Sequence, residues 1–364
     1  MVLQGRVGKA FFSLLRAGLW KQGVDMLGCF PLSEEEWQAL YRIARQQTVE
    51  GIVFDGIQSL EPTLLPPRKL LLLWLVRVEK LEQRNRRMNT VLAEQALFFD
   101  SCGIKPVLLK GQGIAAGYAE PLRRVCGDID WYFSNKEDYH EANRQIRAKG
   151  IEWNKMAGNS IWYRWRNVEI EHHRNIFDIY NPFVRGYLKE FEQEEQPRQL
   201  ELLVQEQSII LPSPTAQLLQ VNAHILKHLL SFGIGLRQLC DAARLYSAYH
   251  TQIDADRLLA VYAKTGILKW ISVLHKLLVD YLGMPSDNLP LRRDTERNAD
   301  WMMEEIWTAG NFGFHDGRYV DIQNGGKRVD KKKRLWNNFL RYLPYAPMET
   351  ISFPFIHLFS RISG

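Results

Sequence analysis

The stretch RRVCGDIDWYF, residues 123–133, decides how the chain is read. Val125, Ile129, Trp131, Tyr132 and Phe133 favour a pleated, half-buried environment, whereas aspartate is depleted in strands. Asp128 and Asp130 stand one residue apart inside it. Residues two apart in a strand share a face, with Cα atoms about 6.5–7 Å apart, so the two carboxylates project side by side. Ile129 is then turned into the core behind them. A buried carboxylate is costly unless it is paired or bound to a metal. Hard oxygen ligands at this spacing suit Mg²⁺ or Mn²⁺, held together with substrate phosphates. The competing reading is a solvated strand end or turn.

Two neighbouring stretches favour the first reading. Upstream, VLLKGQGIAAGY (107–118) is a short apolar strand that ends in Lys110 and turns through Gly111 into a helix. Backbone amides at such a turn favour phosphate, and glycine lets it come close. Downstream, SIWYRW (160–165) and VEIEHH (168–173), separated by Arg166-Asn167, read as a hairpin. Alternation puts Glu169, Glu171 and His173 on one face, with Val168 and Ile170 on the other. A third carboxylate on a neighbouring strand would complete a metal site; the alternative is a half-exposed edge strand.

Around this centre the chain reads as helical. PLSEEEW (31–37) offers Ser33 as an N-cap with Glu36 three residues on, a capping box. A second helix starts at Pro66-Pro67, runs to about Ser101 and stops at Gly103. KEDYHEANRQIRAKG (136–150) has helical periodicity, and the acidic EFEQEEQPRQ (190–199) reads as a solvated linker. In PTAQLLQVNAHILKHLL (214–230), Gln217, Gln220, His224, Lys227 and His228 share one helical face. That face is either a solvated stripe or a lid over a bound nucleotide. Arg237 and Asp241 lie i, i+4 and are expected to pair with each other. The run KRVDKKKR (327–334) reads as a charged turn, with docking of a polyanion as the alternative.

The whole is expected to be α+β, with a small mixed sheet embedded in mainly α-helical N- and C-terminal regions. The expected divisions are an N-terminal helical region (1–100), an α/β core (101–185), a helical domain closing a cleft (186–300), and a loop with a helical tail (301–364). The 364 residues carry 47 Lys and Arg against 41 Asp and Glu, a net +6, compatible with an anionic substrate but too weak to argue nucleic acid. Cys29, Cys102, Cys126 and Cys240 are scattered without metal-site spacing and fit reduced thiols in a cytoplasm. The opening MVLQGRVGKAFFSLLRAGLW has no cleavage-site pattern. The most apolar run, LLLLWLV (70–76), is far short of the roughly 20 residues a transmembrane helix needs.

The order of these motifs resembles the nucleotidyltransferases of the DNA polymerase β-type superfamily. More closely, LLKGQGIAAGYAEPLRRVCGDIDWYF (108–133) is similar to a bacterial family known as uncharacterised nucleotidyltransferases. Its members carry LKG, an arginine, GDIDL, an E-x-H motif, a helix with H-x-x-x-H and an L-R-x-x-D segment. This chain has Glu171-His172-His173, His224 with His228, and Leu236-Arg237 with Asp241. Three positions depart from the pattern: Gln112 follows Gly111 where glycine or serine is usual, and Trp131 and His172 stand where aliphatic residues are usual.

The resemblance implies transfer of a nucleoside monophosphate from an NTP to a hydroxyl acceptor (a small molecule, protein or RNA), with release of pyrophosphate. By it, Asp128 and Asp130 hold two Mg²⁺ or Mn²⁺ ions and Glu171 completes the catalytic one, with Glu169 as the alternative third carboxylate. Lys110, Gly111 and Gln112 would cradle phosphate, Arg123 or Arg124 would clamp it, and His224, Lys227 and His228 would meet phosphate or ribose. The competing class is a nucleotide-binding regulatory or scaffold protein without chemistry. An RNA-binding module is disfavoured because no aromatic-plus-basic pattern is present.

Overall fold

Ser33 caps its helix as the spacing to Glu36 predicts: its hydroxyl accepts from the Glu36 amide, and the Glu36 carboxylate accepts from the Ser33 amide. That helix is the second of four that precede the first strand: α1 (Arg6–Trp20), α2 (Glu34–Gln46), α3 (Glu50–Ile57) and the long α4 (Arg68–Ser101). Gly103, at φ 72°, ends α4. The structure, a computed structural model, describes residues 4–156, 160–291, 298–323, 326–329 and 331–362. Gly18 sets how closely α1 crosses α3, because a Cβ there would run into the Ile52 carbonyl. Gly18→Ala is expected to cost about 1–3 kcal/mol, read as a fall in the urea midpoint, because backbone on both sides leaves no flexible neighbour to give way.

Seven strands form one mixed sheet: β1 (Val107–Leu109), β2 (Ile129–Tyr132), β3 (Asn154–Lys155), β4 (Ile161–Trp165), β5 (Val168–His173), β6 (Leu200–Val204) and β7 (Gln207–Leu211). Their order is β3-β4-β5-β2-β1-β7-β6. β2 pairs antiparallel with β1 and parallel with β5, so it lies between the strand bearing Lys110 and the strand bearing Glu171. Between the strands, α5 (Gly111–Ala115) follows β1, α6 (Lys136–Ala148) follows β2 and α7 (Arg185–Glu195) precedes β6.

The 190–199 stretch is not a solvated linker. Its first half is the end of α7, where Phe191 and Glu195 are buried, and Glu195 accepts from Ser213 and Arg257. The hairpin that follows adds β6 and β7 to the sheet beyond β1, through a turn in which Gln205 and Glu206 both take positive φ. Neither residue is a usual choice for such a turn, so no Asn-Gly or Gly signal marked it.

Alternation sorts the two faces of the sheet. Ile129, Trp131, Phe133 and Ile170 join Leu108 and residues of α4 and α6 in one core cluster. His172 is fully buried on that same side. Two of the three positions that depart from the pattern, Trp131 and His172, belong to one hydrogen-bonded chain there. Trp131 Nε1 donates to Gln95 Oε1, Gln95 Nε2 donates to the Tyr163 hydroxyl, and that hydroxyl lies 2.9 Å from His172 Nε2. His172 Nδ1 ends the chain 2.7 Å from Asn143 Oδ1. Each buried polar group is thus satisfied by another, the condition for keeping it there. The opposite face, with Val107, Leu109, Tyr132 and Ile176, carries Asp130.

The remaining helices are α8 (Pro214–Ser231), α9 (Leu236–Tyr249), α10 (Ala255–Thr265), α11 (Leu268–Asp280), α12 (Asp300–Ala309), α13 (Lys331–Tyr342) and α14 (Pro347–Ile362), with a separate ribbon of β8 (Val320–Gln323) and β9 (Gly326–Val329) before α13. α8 is buried nearly all round and packs on α9, α10 and α13. The basic run at 327–334 is not a single turn: it divides between β9 and α13, Asp330 lies outside the described residues, and Arg334 is buried with its guanidinium on the Phe232 carbonyl. The fold is α+β, a small mixed sheet embedded in mainly helical N- and C-terminal regions. Among the described residues no helix is long and apolar enough to cross a membrane, and Cys29, Cys102, Cys126 and Cys240 are free.

Candidate active site

Register brings the acidic residues together. Asp130 sits opposite Leu109 on one side and Glu171 on the other, and Tyr132 sits opposite His173. Partners on adjacent strands point to the same face. Asp130, Glu171 and His173 accordingly offer ligand atoms that all lie within 4.8 Å of one another. His173 Nε2 donates to Asp130 Oδ1 at 2.7 Å and lies 3.3 Å from Glu171 Oε2. Asp128 stands just before β2, close enough that the charge of Asp130 is the largest influence on it.

Lys110 reaches this group because the chain turns sharply there. Lys110 takes φ 51° and Gly111 φ 45°, and a Cβ on Gly111 would approach the Asp128 carbonyl to 3.2 Å. The turn places Lys110 Nζ 3.2 Å from Asp130 Oδ1. Burial alone would lower the lysine's pKa, but Asp130, Asp178, Asp128 and Glu171 around it raise it above its usual range. Burial likewise opposes the charge on Asp130, yet Lys110 and the His173 hydrogen bond hold that carboxyl well below the usual range. Asp128 moves the other way: repulsion from Asp130, with burial, pushes it up to about 6. His173 is pushed up to about 9, because its bonds to Asp130 and Glu171 outweigh the cost of burying the imidazolium.

That last shift has a measurable consequence without metal. A group whose folded pKa is raised stabilises fully below its unfolded pKa and loses that contribution as pH rises through the folded value. In EDTA, stability is therefore expected to fall between about pH 6.5 and 9, by at most about 3 kcal/mol. Urea unfolding across that window checks it, and His173→Gln should flatten the slope; a wild type whose stability holds or rises there would contradict the arrangement.

The polar face of α8 is not a solvated stripe. Gln217 and Gln220 are buried, His224 and Lys227 are drawn to a residue that sequence reasoning missed, Asp178, and His228 is drawn to His224. Asp178 Oδ2 lies 2.7 Å from His224 Nδ1, and Lys227 Nζ donates to Asp178 Oδ1 at 2.8 Å. The Nε2 atoms of His224 and His228 are 3.0 Å apart, and His228 Nδ1 is buried without a partner. Burial would raise the Asp178 carboxyl, but Lys227 and His224 hold it well below the usual range. Burial, then the charge of Lys110, pushes His224 down to about 4. The only sequence signal for Asp178 was a lone acid within the apolar run IFDIY (176–180).

Other candidates are not brought to the group. Glu169 is exposed and bonded to Arg164 at 2.9 Å. Arg123 donates to Glu82 and Gln58 and pairs with Asp55, among α3 and α4. Arg124 is buried and binds Asp241 with two bonds of 2.7 Å, while the Tyr118 hydroxyl donates to the same carboxylate. The expected Arg237–Asp241 pair is therefore replaced by Arg124–Asp241. Arg237 instead donates to the Val125 carbonyl at 2.7 Å, and its charge acts on Asp128. Gln112, in the first turn of α5, is buried, and neither of its side-chain polar atoms has a partner among the described residues.

The residues fit a divalent cation. Among the described residues, Asp130 Oδ2 and both oxygens of Asp128 accept no hydrogen bond, although Asp130 is buried. Carboxylates crowded by one another without donors present what a hard cation takes, and the set is oxygen-rich. Glu171, His173, Asp178 and Lys227 also line a cavity of about 1000 Å³.

A family model described as uncharacterised nucleotidyltransferase matches residues 33–283, a span that holds all of these groups. No curated protein matches the chain. The crystal structure of an antigenic nucleotidyltransferase-like protein from Paracoccidioides brasiliensis is similar at 15% identity and a TM-score of 0.32, over 48% of this chain and 87% of that one.

Proposed function

The chain belongs to the uncharacterised nucleotidyltransferase family, and from that premise we propose that it transfers a nucleoside monophosphate from an NTP to a hydroxyl acceptor. The observation that carries the reading is the register of β2 and β5, which sets Asp130 beside Glu171 with Asp128 and Lys110 next to them. Asp128, Asp130 and Glu171, with His173 alongside, would hold Mg²⁺ or Mn²⁺; when bound, such ions neutralise phosphate charge and acidify the attacking hydroxyl. In the overall reaction the acceptor oxygen bonds to the α-phosphorus, the α–β anhydride bond breaks, pyrophosphate carries off the electron pair and the hydroxyl proton is released to water.

The chain's own residues would position the reactants. Lys110 has the charge and the place to meet a phosphate oxygen at the Gly111 turn. Asp178 holds Lys227 and His224 in place on α8, with Lys227 at the wall of the cavity. Arg123 and Arg124 would serve as architecture, since both are committed to ion pairs. Glu171 is the third carboxylate of this reading, and Glu169 has no part in it.

The test is transfer itself. Pure protein incubated with α-labelled NTPs, Mg²⁺ or Mn²⁺ and a cell extract is expected to label a component of the extract, and EDTA should abolish the label. Failure to label anything, or labelling that survives EDTA, would overturn the reading.

A further inference from the structure

The cavity beside Glu171 is lined by that residue and His173, but not by Lys110, Gly111, Asp128 or Asp130. It therefore adjoins the acidic group at β5, where Asp178 and Lys227 also line it, whereas the glycine turn on β1, where the reading above puts the nucleotide's phosphates, is not part of its wall. Besides Lys227, which Asp178 holds, its walls carry four cations: Lys136 at the start of α6, Arg174 just after β5, and Arg185 and Lys189 on α7.

What sets these cations apart is that they share one concavity, since exposed lysines elsewhere, such as Lys9 and Lys105, also form no ion pair among the described residues. Arg16, Arg77, Arg86, Arg164, Arg166 and Arg257 each pair with a carboxylate. None of the four in the cavity has an ion-pair partner among the described residues; Arg174 instead lies over the Tyr139 ring, 5.7 Å from its centroid. Nor do the acids of the same wall balance them. Glu171 is held by His173, Asp178 by His224 and Lys227, and Glu192 accepts from the Tyr132 hydroxyl, which leaves Glu137 alone uncommitted. A concave site of about 1000 Å³ is at the upper end of the range for small-molecule pockets.

We propose that this cavity is the acceptor subsite and that the acceptor is a small anionic hydroxyl compound, one bearing a phosphate or carboxylate group. The acceptor role rests on the transferase reading; the anion site rests on the cavity alone. The anionic group lies against Arg174, Arg185 and Lys189, and its hydroxyl points back toward Glu171. The bonds made and broken are those of the transfer described above, with the acceptor oxygen as nucleophile and pyrophosphate as leaving group.

Equilibrium dialysis with three matched probes, glycerol 3-phosphate, glycerate and glycerol, tests it in EDTA, where the metal-free carboxylates repel anions and binding reports the cationic wall. Glycerol 3-phosphate is expected to bind saturably and glycerol not. Glycerate binding as well marks a site for any small anion, and its failure to bind marks a phosphate site. Arg185→Gln/Lys189→Gln, both exposed on α7, should weaken binding by about tenfold or more, the loss of two charge-assisted contacts. Binding no tighter than that of glycerol, or unchanged in the double variant, overturns the proposal. A protein that labels an acceptor but binds neither anion loses this proposal and keeps the transferase reading. One that binds the anion but never transfers loses that reading, and the acceptor role with it.

Discussion

Asp130→Asn is expected to lower nucleotide transfer by about 10³-fold or more, the scale on which removing a central member of a catalytic group acts. The substitution keeps the volume of a buried side chain and removes its charge, so packing in β2 is preserved. What changes is electrostatic. Lys110 and His173 lose the carboxylate they share, and Asp128 loses the repulsion that is its largest perturbation. His173, now about 9, should titrate lower by NMR, and the Asp128 carboxyl should also fall toward its ordinary range. Glu169→Gln supplies the contrast: the residue is exposed and faces Arg164, so activity should be unchanged. Equal losses in the two variants would mean that the register argument has chosen the wrong carboxylates.

The second large effect is on stability. Asp241→Ala is expected to destabilise the fold by about 3–5 kcal/mol, because it leaves the buried Arg124 guanidinium without its carboxylate. The Tyr118 hydroxyl loses its acceptor in the same step. Urea unfolding reads the loss, while labelling per folded molecule should stay near wild type if Arg124 is architectural. Arg124→Met/Asp241→Leu should recover much of the stability, since a buried pair can often be replaced by apolar residues of similar size. A stable Asp241→Ala that no longer binds NTP would return Arg124 to the nucleotide.

What was legible in the sequence was what local chemistry dictates. The Ser33 box, the stop at Gly103, the hairpin of β4 and β5 and the strand bearing Asp130 each depend on residues within a few positions of one another, although Asp128 lies just before that strand and not in it. Strand alternation was also enough to put Glu171 and Asp130 on facing positions once β2 and β5 paired. Long-range choices were not legible. Asp241 had a candidate partner four residues away in Arg237 but binds Arg124, 117 positions distant, because the turn before β2 docks on α9. Acidic composition hid α7, whose Leu188, Phe191 and Glu195 fall on one buried face. Asp178 belongs to no motif; it matters because the loop after β5 passes α8, which only the folded chain can show.

Joint binding of a divalent cation by Asp128, Asp130 and Glu171 can be read from paramagnetic resonance of Mn²⁺ titrated into the protein. The wild type should deplete the free-ion signal, Asp128→Asn/Asp130→Asn should restore it, and Glu169→Gln should not. Mn²⁺ left free by a folded wild type, or bound equally well by the double variant, would contradict it.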